Sequence, residues 1–190
     1  KELSSFFTFS VPNYQFTPAY KNKLWDGQIR LYNIHTQKIY RGLQDYVVKF
    51  AEDRNYSYNL HIEDTESISN DDIIKFIKDK IKPASKGNTI KLYDHQLDAI
   101  LHAINKKRCL LLSPTGSGKS LMIYCLLRYY DMIIPKDKKI LIVVPTTGLV
   151  SQMYNDFKDY SSKNGWDVEE NCHVIYSGKE KETNKRIVIS

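Results

Sequence analysis

A glycine-rich segment at residues 113–120, Ser-Pro-Thr-Gly-Ser-Gly-Lys-Ser, has the residue types and spacing of a phosphate-binding loop. Gly116 and Gly118 allow backbone conformations that a Cβ atom would hinder, so successive N–H groups can turn toward one anion. The Lys119 ammonium can reach the β- and γ-phosphates of a nucleotide, and the Ser120 hydroxyl can bind Mg²⁺. The segment therefore predicts a site for ATP and Mg²⁺.

Predicted elements on both sides of this loop supply the context that phosphate binding requires. The apolar run 109–112 is typical of a short buried strand, and residues 119–130 are typical of a helix whose N-terminal end attracts anions. A glycine-rich turn that matched the pattern by chance would lack these flanks. We interpret Lys119 and Ser120 as catalytic, with Ser120 as the Mg²⁺ ligand. The nucleotide-binding candidates in the loop are Pro114, Thr115, Gly116, Ser117, Gly118, Lys119 and Ser120.

Short apolar strands alternate with helices in residues 91–190. The predicted strands are 109–112, 140–144, 173–176 and 187–189, and the predicted helices are 93–105, 119–130 and 147–160. This alternation indicates a parallel sheet covered by helices on both faces. The predicted fold class of this part is therefore α/β.

Residues 1–82 have a different rhythm and predict a small α+β module rich in aromatic side chains. Its predicted strands are 6–9, 28–32, 37–40 and 56–60, with a turn at 33–36 and a helix at 45–53. Ser69 caps a second predicted helix, whose apolar face carries Ile73, Ile74, Ile77 and Ile81. Pro83 and Gly87 mark residues 83–90 as a linker to the α/β unit at 91–190.

The composition excludes several classes of protein. With 42% hydrophobic and 26% charged residues, the chain is globular rather than disordered. No segment approaches the roughly 20 apolar residues that cross a bilayer, and the first residues lack the layout of a signal peptide. The net charge of +6 suits a polyanion, although many ordinary domains carry a similar charge. Three cysteines without metal-ligand spacing favour a reducing, cytoplasmic compartment.

The loop departs from the general phosphate-loop pattern at Ser113, where that pattern has Gly. Its form Pro-Thr-Gly-Ser-Gly-Lys-Ser resembles the variant found in superfamily 2 helicases. The sequences Val-Val-Pro-Thr-Thr-Gly-Leu at 143–149 and Trp-Asp-Gly-Gln-Ile-Arg-Leu-Tyr at 25–32 make the whole chain similar to the recombination and branch-migration helicases of T-even bacteriophages. The resemblance implies a truncated RecA-like P-loop lobe after the N-terminal module.

The same resemblance implies a role for Gln96 in reading the adenine of ATP, with Tyr93 as a weaker candidate for packing on the base. A carboxamide suits this role because it can both donate to and accept from an adenine edge. The alternative is that Gln96 only caps or decorates a surface helix.

Two further segments resemble the helicase motifs that contact DNA. Pro145, Thr146 and Thr147 resemble the motif that grips the backbone of the tracked strand, and Gly178, in the Ser-Gly pair after the third strand, resembles the next one. Hydroxyl groups and N–H groups at a helix start bind phosphates without reading sequence. Taken alone, Pro-Thr-Thr is also the start of an ordinary capped helix.

The N-terminal module interleaves aromatic side chains, among them Trp25, with the cations Lys21, Lys23 and Arg30. Such a mixture can stack on unpaired bases while it neutralises phosphates. The alternative is that the rings form the core of the module and the cations face solvent. The resemblance favours DNA, and we take the three cations as candidate DNA contacts.

The resemblance implies that the intact parent is an ATP-dependent DNA helicase that remodels branched DNA in recombination and replication-fork repair. It would act as a monomer on single-stranded or branched DNA, away from membranes, in the cytoplasm of a phage-infected bacterium. Other recombination proteins would be further partners. The chain has no Asp-Glu-x-His or Asp-Glu-Ala-Asp box and no second lobe with an arginine finger, and phosphoryl transfer requires such parts. We therefore expect these 190 residues alone to hydrolyse ATP negligibly.

Three other interpretations stay open at this point. A restriction-type translocase or an RNA helicase would share the phosphate loop and the Pro-Thr-Thr segment. A non-motor P-loop enzyme, such as a nucleotide kinase, would share only the loop. A binding module that uses nucleotide for stability alone is the third.

Overall fold

The chain folds into two units that divide between residues 64 and 65. The computed structural model describes residues 1–61 and 68–190. The predicted division lay at residue 82, because the second predicted helix was assigned to the N-terminal module. In the structure Ile73, Ile77 and Ile81 of that helix are 0–4% exposed and belong to the core of the second unit. The spacing of apolar residues identifies a helix with a buried face, whereas only the tertiary fold decides which neighbour covers that face.

The first unit contains short helices and two small antiparallel sheets. Its helices are α1 (Glu2–Phe6), α2 (Pro18–Lys21) and α3 (Gln44–Glu52), with 3₁₀ turns at Tyr14–Phe16 and Arg41–Leu43. Its strands are β1 (Thr8–Ser10), β2 (Gln28–Arg30), β3 (Tyr32–Asn33) and β4 (Lys38–Ile39), paired β1 with β2 and β3 with β4. Phe7 and Phe50 supply the buried core.

The predicted helix of this unit is confirmed, whereas the predicted hairpin is confirmed only at its tip, where Tyr32–Asn33 pairs with Lys38–Ile39, because Gln28–Arg30 pairs with β1 instead. Two further predicted strands are wrong or displaced. Asn33 starts the turn, since its Oδ1 accepts from the N–H groups of His35 and Thr36 at 3.0 Å each. The strand predicted at 6–9 begins only at Thr8, because α1 extends to Phe6. Residues 56–60 form no strand, and the tyrosine hydroxyls of that segment donate to Glu2 and Glu52 instead.

The second unit has helices around a three-stranded sheet. The helices are α4 (Asn70–Phe76), which continues as a π-helical turn (Ile77–Ile81), α5 (Asp94–Lys106), α6 (Lys119–Ile133), α7 (Thr147–Tyr160) and α8 (Val168–Asn171). The strands are β5 (Ala84–Ser85), β6 (Asn88–Thr89), β7 (Ile140–Ile142), β8 (Cys172–Val174) and β9 (Ile187–Ile189). Strands β7, β9 and β8 are parallel and adjacent in that order, which confirms the predicted α/β class.

The segment 83–90 is a docked hairpin and not the predicted linker. Strands β5 and β6 pair antiparallel, and Ala84 is fully buried. Asp159 on α7 holds the turn, since its carboxylate accepts from the Ser85 hydroxyl at 2.7 Å and from the Lys86 N–H at 2.8 Å. Proline and glycine mark a turn in the chain, but they do not distinguish a free linker from a hairpin held by a distant carboxylate.

The apolar run 109–112 before the phosphate loop does not form the predicted strand. Its residues pair with no strand in the described part of the chain, and Leu110 and Leu112 are 82% and 88% exposed. An apolar run shows that a segment can pair, whereas pairing itself needs a neighbouring strand. Here the strands of the parallel sheet pair with one another instead.

An aromatic cluster at the centre of the second unit ties the N-terminal helix of that unit to α6 and α7. The ring of Tyr124 on α6 lies 5.5 Å from that of Phe157 on α7, and both side chains are fully buried. Asn164 bridges the layers, because its Nδ2 donates to the Ile81 carbonyl at 2.6 Å and to the Tyr124 hydroxyl at 2.9 Å. Burial raises the pKa of the nearby Cys125 thiol to about 12, so this cysteine stays protonated and structural.

Among the described helices, none is long and apolar enough to span a bilayer.

Candidate functional site

The phosphate loop runs from the unpaired segment 109–112 into the first turn of α6. Gly116 and Gly118 have φ values of +81° and +84°, in the left-handed region that favours glycine. A Cβ at Gly116 would meet no atom within 4 Å, so the loop is open there. Gly118 caps α6, whose first internal hydrogen bond runs from the Met122 N–H to the Gly118 carbonyl at 3.1 Å. The loop thus has the open backbone and the helix N-terminus that a phosphate group needs.

The predicted catalytic lysine lies folded against its own loop. Lys119 Nζ donates to the carbonyls of Pro114 at 2.6 Å and Ser113 at 3.1 Å. The hydroxyls of Ser113 and Ser117 hydrogen-bond to each other across the loop. A nucleotide phosphate would offer Lys119 a charged acceptor in place of two neutral carbonyls, and hydrogen bonds to charged groups are stronger. Ser113, which stands where the general pattern has Gly, therefore stabilises the loop through its hydrogen bonds with Ser117 and Lys119.

Gln96 connects the loop to α5. Its side chain is only 5% exposed, and Nε2 donates to the Ser117 carbonyl at 2.9 Å. Its Oε1 accepts from the Tyr93 N–H at 3.0 Å, which forms a capping box at the start of α5. The structure thus places Gln96 beside the loop, where a nucleotide-binding residue should lie. Both the oxygen and the nitrogen of its amide already form hydrogen bonds with protein atoms. Its contact with adenine stays a prediction. To make that contact, Gln96 would have to replace one of these two hydrogen bonds with a hydrogen bond to the base.

The ring side chains of Tyr93 and His95 flank the contact between Gln96 and the Ser117 carbonyl. Tyr93 is 69% exposed, and its ring stacks on His95 with the ring centroids 5.8 Å apart and an interplanar angle of 12°. His95 Nε2 lies 3.3 Å from the Ser117 carbonyl. The imidazole also lines a cavity of about 620 Å³ against residues 113–117. His95 is one of five histidines without metal-ligand or catalytic spacing, so the sequence predicts only a surface role for it; its place beside Gln96 was the one signal of proximity to the loop.

Replacing Gly118 with Ala should weaken nucleotide binding by more than the backbone strain at a positive φ value would cause. The new Cβ would lie 2.3 Å from Gln96 Nε2, so the bond between Gln96 and the loop would have to break. The left-handed backbone adds about 1–2 kcal/mol of strain. We expect the affinity for a fluorescent ATP analogue to fall at least about tenfold, which corresponds to about 1.4 kcal/mol.

The matched control is Gly165→Ala, because Gly165 has a φ value of +72° and open space around its Cβ position. That variant should lose stability in urea unfolding without losing nucleotide affinity. Equal nucleotide affinities for the two variants would show that the contact between Gln96 and the loop does not shape the site.

The two DNA-contact candidates of this unit lie at one edge of the parallel sheet. Thr146 caps α7, since its Oγ1 accepts from the Leu149 N–H at 3.3 Å, with Pro145 before it and Thr147 in the first turn. Gly178, at φ +87°, follows β8. Because β7 and β8 both run parallel to β9, the segments after their carboxyl ends emerge at the same edge. The structure therefore groups these candidates and leaves their DNA contacts untested.

In the first unit, Lys21 and Lys23 line one open cleft of about 580 Å³ together with Tyr20 and Trp25. Trp25 is half-buried, and its Nε1 donates to the Gln28 carbonyl at 2.9 Å. Arg30 does not line this cleft. Its guanidinium pairs instead with Asp26, and their hydrogen bond lowers the pKa of that carboxyl. The cleft thus has an aromatic wall and two lysines, with the Asp26 carboxylate also in its lining, whereas Arg30 is already paired.

Comparison with known families decides the family to which the chain belongs. A family model described as type III restriction enzyme, res subunit, matches residues 89–190, which is more than half of the chain. A second model, described as DNA helicase UvsW, N-terminal, matches residues 1–63, close to the division between the two units. The chain belongs to the UvsW-like superfamily 2 helicases.

Individual helicase relatives agree with this assignment. The ATP-dependent DNA helicase uvsW of Enterobacteria phage T4 is 35% identical over 161 residues, which cover 84% of this chain and 31% of the relative. An uncharacterized ATP-dependent helicase of Methanocaldococcus jannaschii is 31% identical over 83 residues, or 44% of this chain and 12% of that protein. The matched part of the chain therefore spans about a third of the length of the phage relative and a smaller share of the Methanocaldococcus jannaschii one.

Solved structures of the phage UvsW helicase have the same fold. One crystal structure of UvsW from bacteriophage T4 superposes with a TM-score of 0.81 at 30% identity, covering 99% of this chain and 66% of that one. Another structure of T4 UvsW gives the same TM-score and identity, and this chain covers 38% of it. The resemblance to a UvsW-like helicase that the sequence indicated is confirmed.

Proposed function

We propose that this chain is the ATP-binding and DNA-binding N-terminal portion of an ATP-dependent DNA helicase or translocase. The parent would remodel branched DNA in recombination and replication-fork repair. The observation that carries the proposal is the hydrogen bond between Gln96 and the Ser117 carbonyl, because it joins an adenine-reading candidate to a phosphate loop. A phosphate loop alone is common to many enzymes, whereas this pairing is expected of a helicase motor.

The residues present fit a Mg²⁺-bound nucleotide. The open backbone at Gly116 leaves room for a phosphate, and α6 directs its N-terminus toward the loop. Ser120, at the second position of α6, makes no side-chain hydrogen bond within the described residues and would bind the metal. The cation would neutralise charge on the β- and γ-phosphates. Transfer of the γ-phosphoryl group to water, with ADP as the leaving group, would also require the remaining helicase parts. Lys119 would leave the Pro114 and Ser113 carbonyls and hold the β- and γ-phosphates.

The DNA part of the proposal rests on the edge of the parallel sheet. Thr146, Thr147 and Gly178 present hydroxyl and N–H groups there, next to the N-terminus of the fourteen-residue helix α7. Such groups bind backbone phosphates and fix the register of a strand without reading its sequence. This arrangement suits a motor that moves along DNA of any sequence.

The test is ATP turnover by the intact parent protein without nucleic acid, with single-stranded DNA, with forked or four-way DNA, and with RNA. We expect the strongest stimulation from branched DNA. Stimulation by RNA alone would identify an RNA helicase. Turnover that is indifferent to all of these would identify a different P-loop enzyme and refute the proposal.

A restriction-type translocase is the second candidate, because the res-subunit family model matches residues 89–190. Such a translocase moves along continuous duplex DNA. Linear duplex that stimulates turnover as strongly as a four-way junction would favour it, whereas a clear preference for the junction would favour branch remodelling.

We also infer that the cleft of the first unit contacts DNA. Reversing Lys21, Lys23 and Arg30 to Glu should weaken DNA binding and lower its salt dependence. For single-stranded DNA the slope of log affinity against log salt should fall by about 1.4, since the two cleft lysines each lose a phosphate contact worth about 0.7 and Arg30 lies outside the cleft, paired with Asp26. Fluorescence anisotropy at several salt concentrations measures both effects.

The control for this triple variant reverses Lys38, Arg41 and Lys49, three exposed cations of the same unit that do not line the cleft. Equal losses in the two variants would indicate a general effect of charge. Wild-type affinity in the first variant would remove the cleft from the DNA path.

A further inference from the structure

A second cavity of the α/β unit lies between the π-helical turn and the start of α5, and neither Tyr93 nor Gln96 is part of its lining. Its volume is about 390 Å³, and aliphatic side chains, among them Ile74, Ile90, Leu92 and Leu97, line it. Three lysines, Lys78, Lys82 and Lys91, and one carboxylate, Asp94, complete the lining. We propose that this cavity, here named the lysine pocket, holds one nucleotide of a single DNA strand.

The lysines of the pocket are available for a ligand. Lys78, Lys82 and Lys91 are exposed, and they form no ion pair or side-chain hydrogen bond within residues 1–61 and 68–190. With Asp94, they give the pocket a formal charge of 3 − 1 = +2. A pocket with an apolar interior and several free cations suits a ligand that has both an apolar body and negative charge.

The backbone that carries two of these lysines is unusual. The Lys82 N–H donates to the Ile77 carbonyl, five residues earlier, at 3.0 Å, and this bond closes the π-helical turn. Lys82 then takes a φ value of +42°, which is uncommon for a residue with a Cβ. π-helical turns and left-handed non-glycine residues occur disproportionately at functional sites. The turn buries Ile77 and Ile81 in the core while it leaves Lys78 and Lys82 at the pocket.

The carboxylate of Asp94 distinguishes among anionic ligands. It repels anionic groups, phosphates included, so the negative charge of a ligand must lie at the lysines, while the carboxylate itself can accept a hydrogen bond from the exocyclic amine of a cytosine, adenine or guanine. The aliphatic lining can cover the faces of such a base, and the lysines can neutralise the flanking phosphates. The chemistry of the pocket therefore matches a nucleotide with an amino group on its base.

The inference rests on the proposed DNA-binding function and adds a contact to it. In this chain, replacing Lys78, Lys82 and Lys91 with Ala should weaken binding of oligo(dC) about tenfold at low salt. It should also lower the salt slope by about 1.4, at about 0.7 for each of the two phosphates that flank one nucleotide. The control replaces Lys75, Lys80 and Lys106, which are exposed lysines of the same unit outside the pocket, and it should bind nearly as well as the wild type.

Asp94→Ala tests the base itself. Wild-type protein should bind oligo(dC) about fivefold or more tightly than oligo(dT), because thymine has no amine for Asp94. The variant should lose this preference without losing affinity for oligo(dT), since Asp94 makes no attractive contact with thymine. An abasic oligonucleotide, which keeps the phosphates, should bind the wild type and Leu97→Trp equally, since filling the pocket removes only the base contact.

The outcomes separate the pocket from the proposed function. No DNA binding by wild-type protein would overturn both. Wild-type binding that the pocket triple variant and Asp94→Ala leave unchanged would overturn the pocket alone. Loss of binding to an acidic peptide, with DNA binding intact in the triple variant, would also overturn it and assign the pocket to a protein partner.

Discussion

Lys119→Ala in the intact parent protein should lower DNA-stimulated ATP hydrolysis by about 100-fold or more, the usual effect of removing a group that stabilises transition-state charge. The side chain is the charged group that the loop offers to the β- and γ-phosphates. In the structure it already lies within 2.6–3.1 Å of the loop carbonyls that border the phosphate position. Steady-state turnover with saturating forked DNA measures the effect.

The matched control for this experiment is Lys136→Ala, an exposed lysine after α6 that makes no contact with the loop. It should keep wild-type turnover. The 190-residue chain itself contains no Asp-Glu dipeptide, so we expect it to bind nucleotide while hydrolysing it negligibly. Robust turnover by this chain that is lost in Lys119→Ala would contradict that expectation.

Phe157→Ala should destabilise the second unit by about 3–5 kcal/mol, the range for a large buried aromatic replaced by Ala. The ring is fully buried, and it packs on Tyr124, through which α6, α7 and Asn164 are connected. Because whole domains are stable by only about 5–15 kcal/mol, this variant should be close to unfolding at room temperature. Urea unfolding followed by the fluorescence of Trp166, whose ring is 5.9 Å from that of Tyr124, reports the change.

Leu149→Ala on the same helix is the control, because its side chain is 40% exposed. It should change the free energy of unfolding by about 0.5 kcal/mol or less, as surface substitutions usually do. A loss for Phe157→Ala no larger than that of Leu149→Ala would mean that the aromatic cluster does not hold the unit together.

Local elements of the second unit could be predicted from the sequence with small errors. Helix α7 begins at Thr147 and ends at Tyr160, as predicted, and α5 is displaced by one residue from the predicted 93–105. Ser69 caps α4, since its Oγ accepts from the Asp72 N–H at 3.1 Å. These features depend on apolar spacing and on cap residues within a few positions of one another, so the sequence contains them directly.

The site could be predicted in part. The loop at 113–120 was identified because its backbone conformation depends on its own glycines. The contacts of Gln96 could not be foreseen in full, since the choice between capping α5 and facing a ligand depends on where Ser117 lies. The lysine pocket had no signature at all, because it forms only when the π-helical turn and α5 meet.

Residues that lie close together along the chain were enough to predict the phosphate loop and the longer helices and to identify the helicase family, whereas the short helices α1, α2 and α8 were not predicted. Tertiary structure decided that the helix with Ile73, Ile77 and Ile81 belongs to the second unit, and that residues 83–90 dock on Asp159. It also decided that 109–112 pairs with no described strand. Each of these outcomes depends on a partner far away in the sequence, and burial and pairing energies are set by that partner rather than by the local residues.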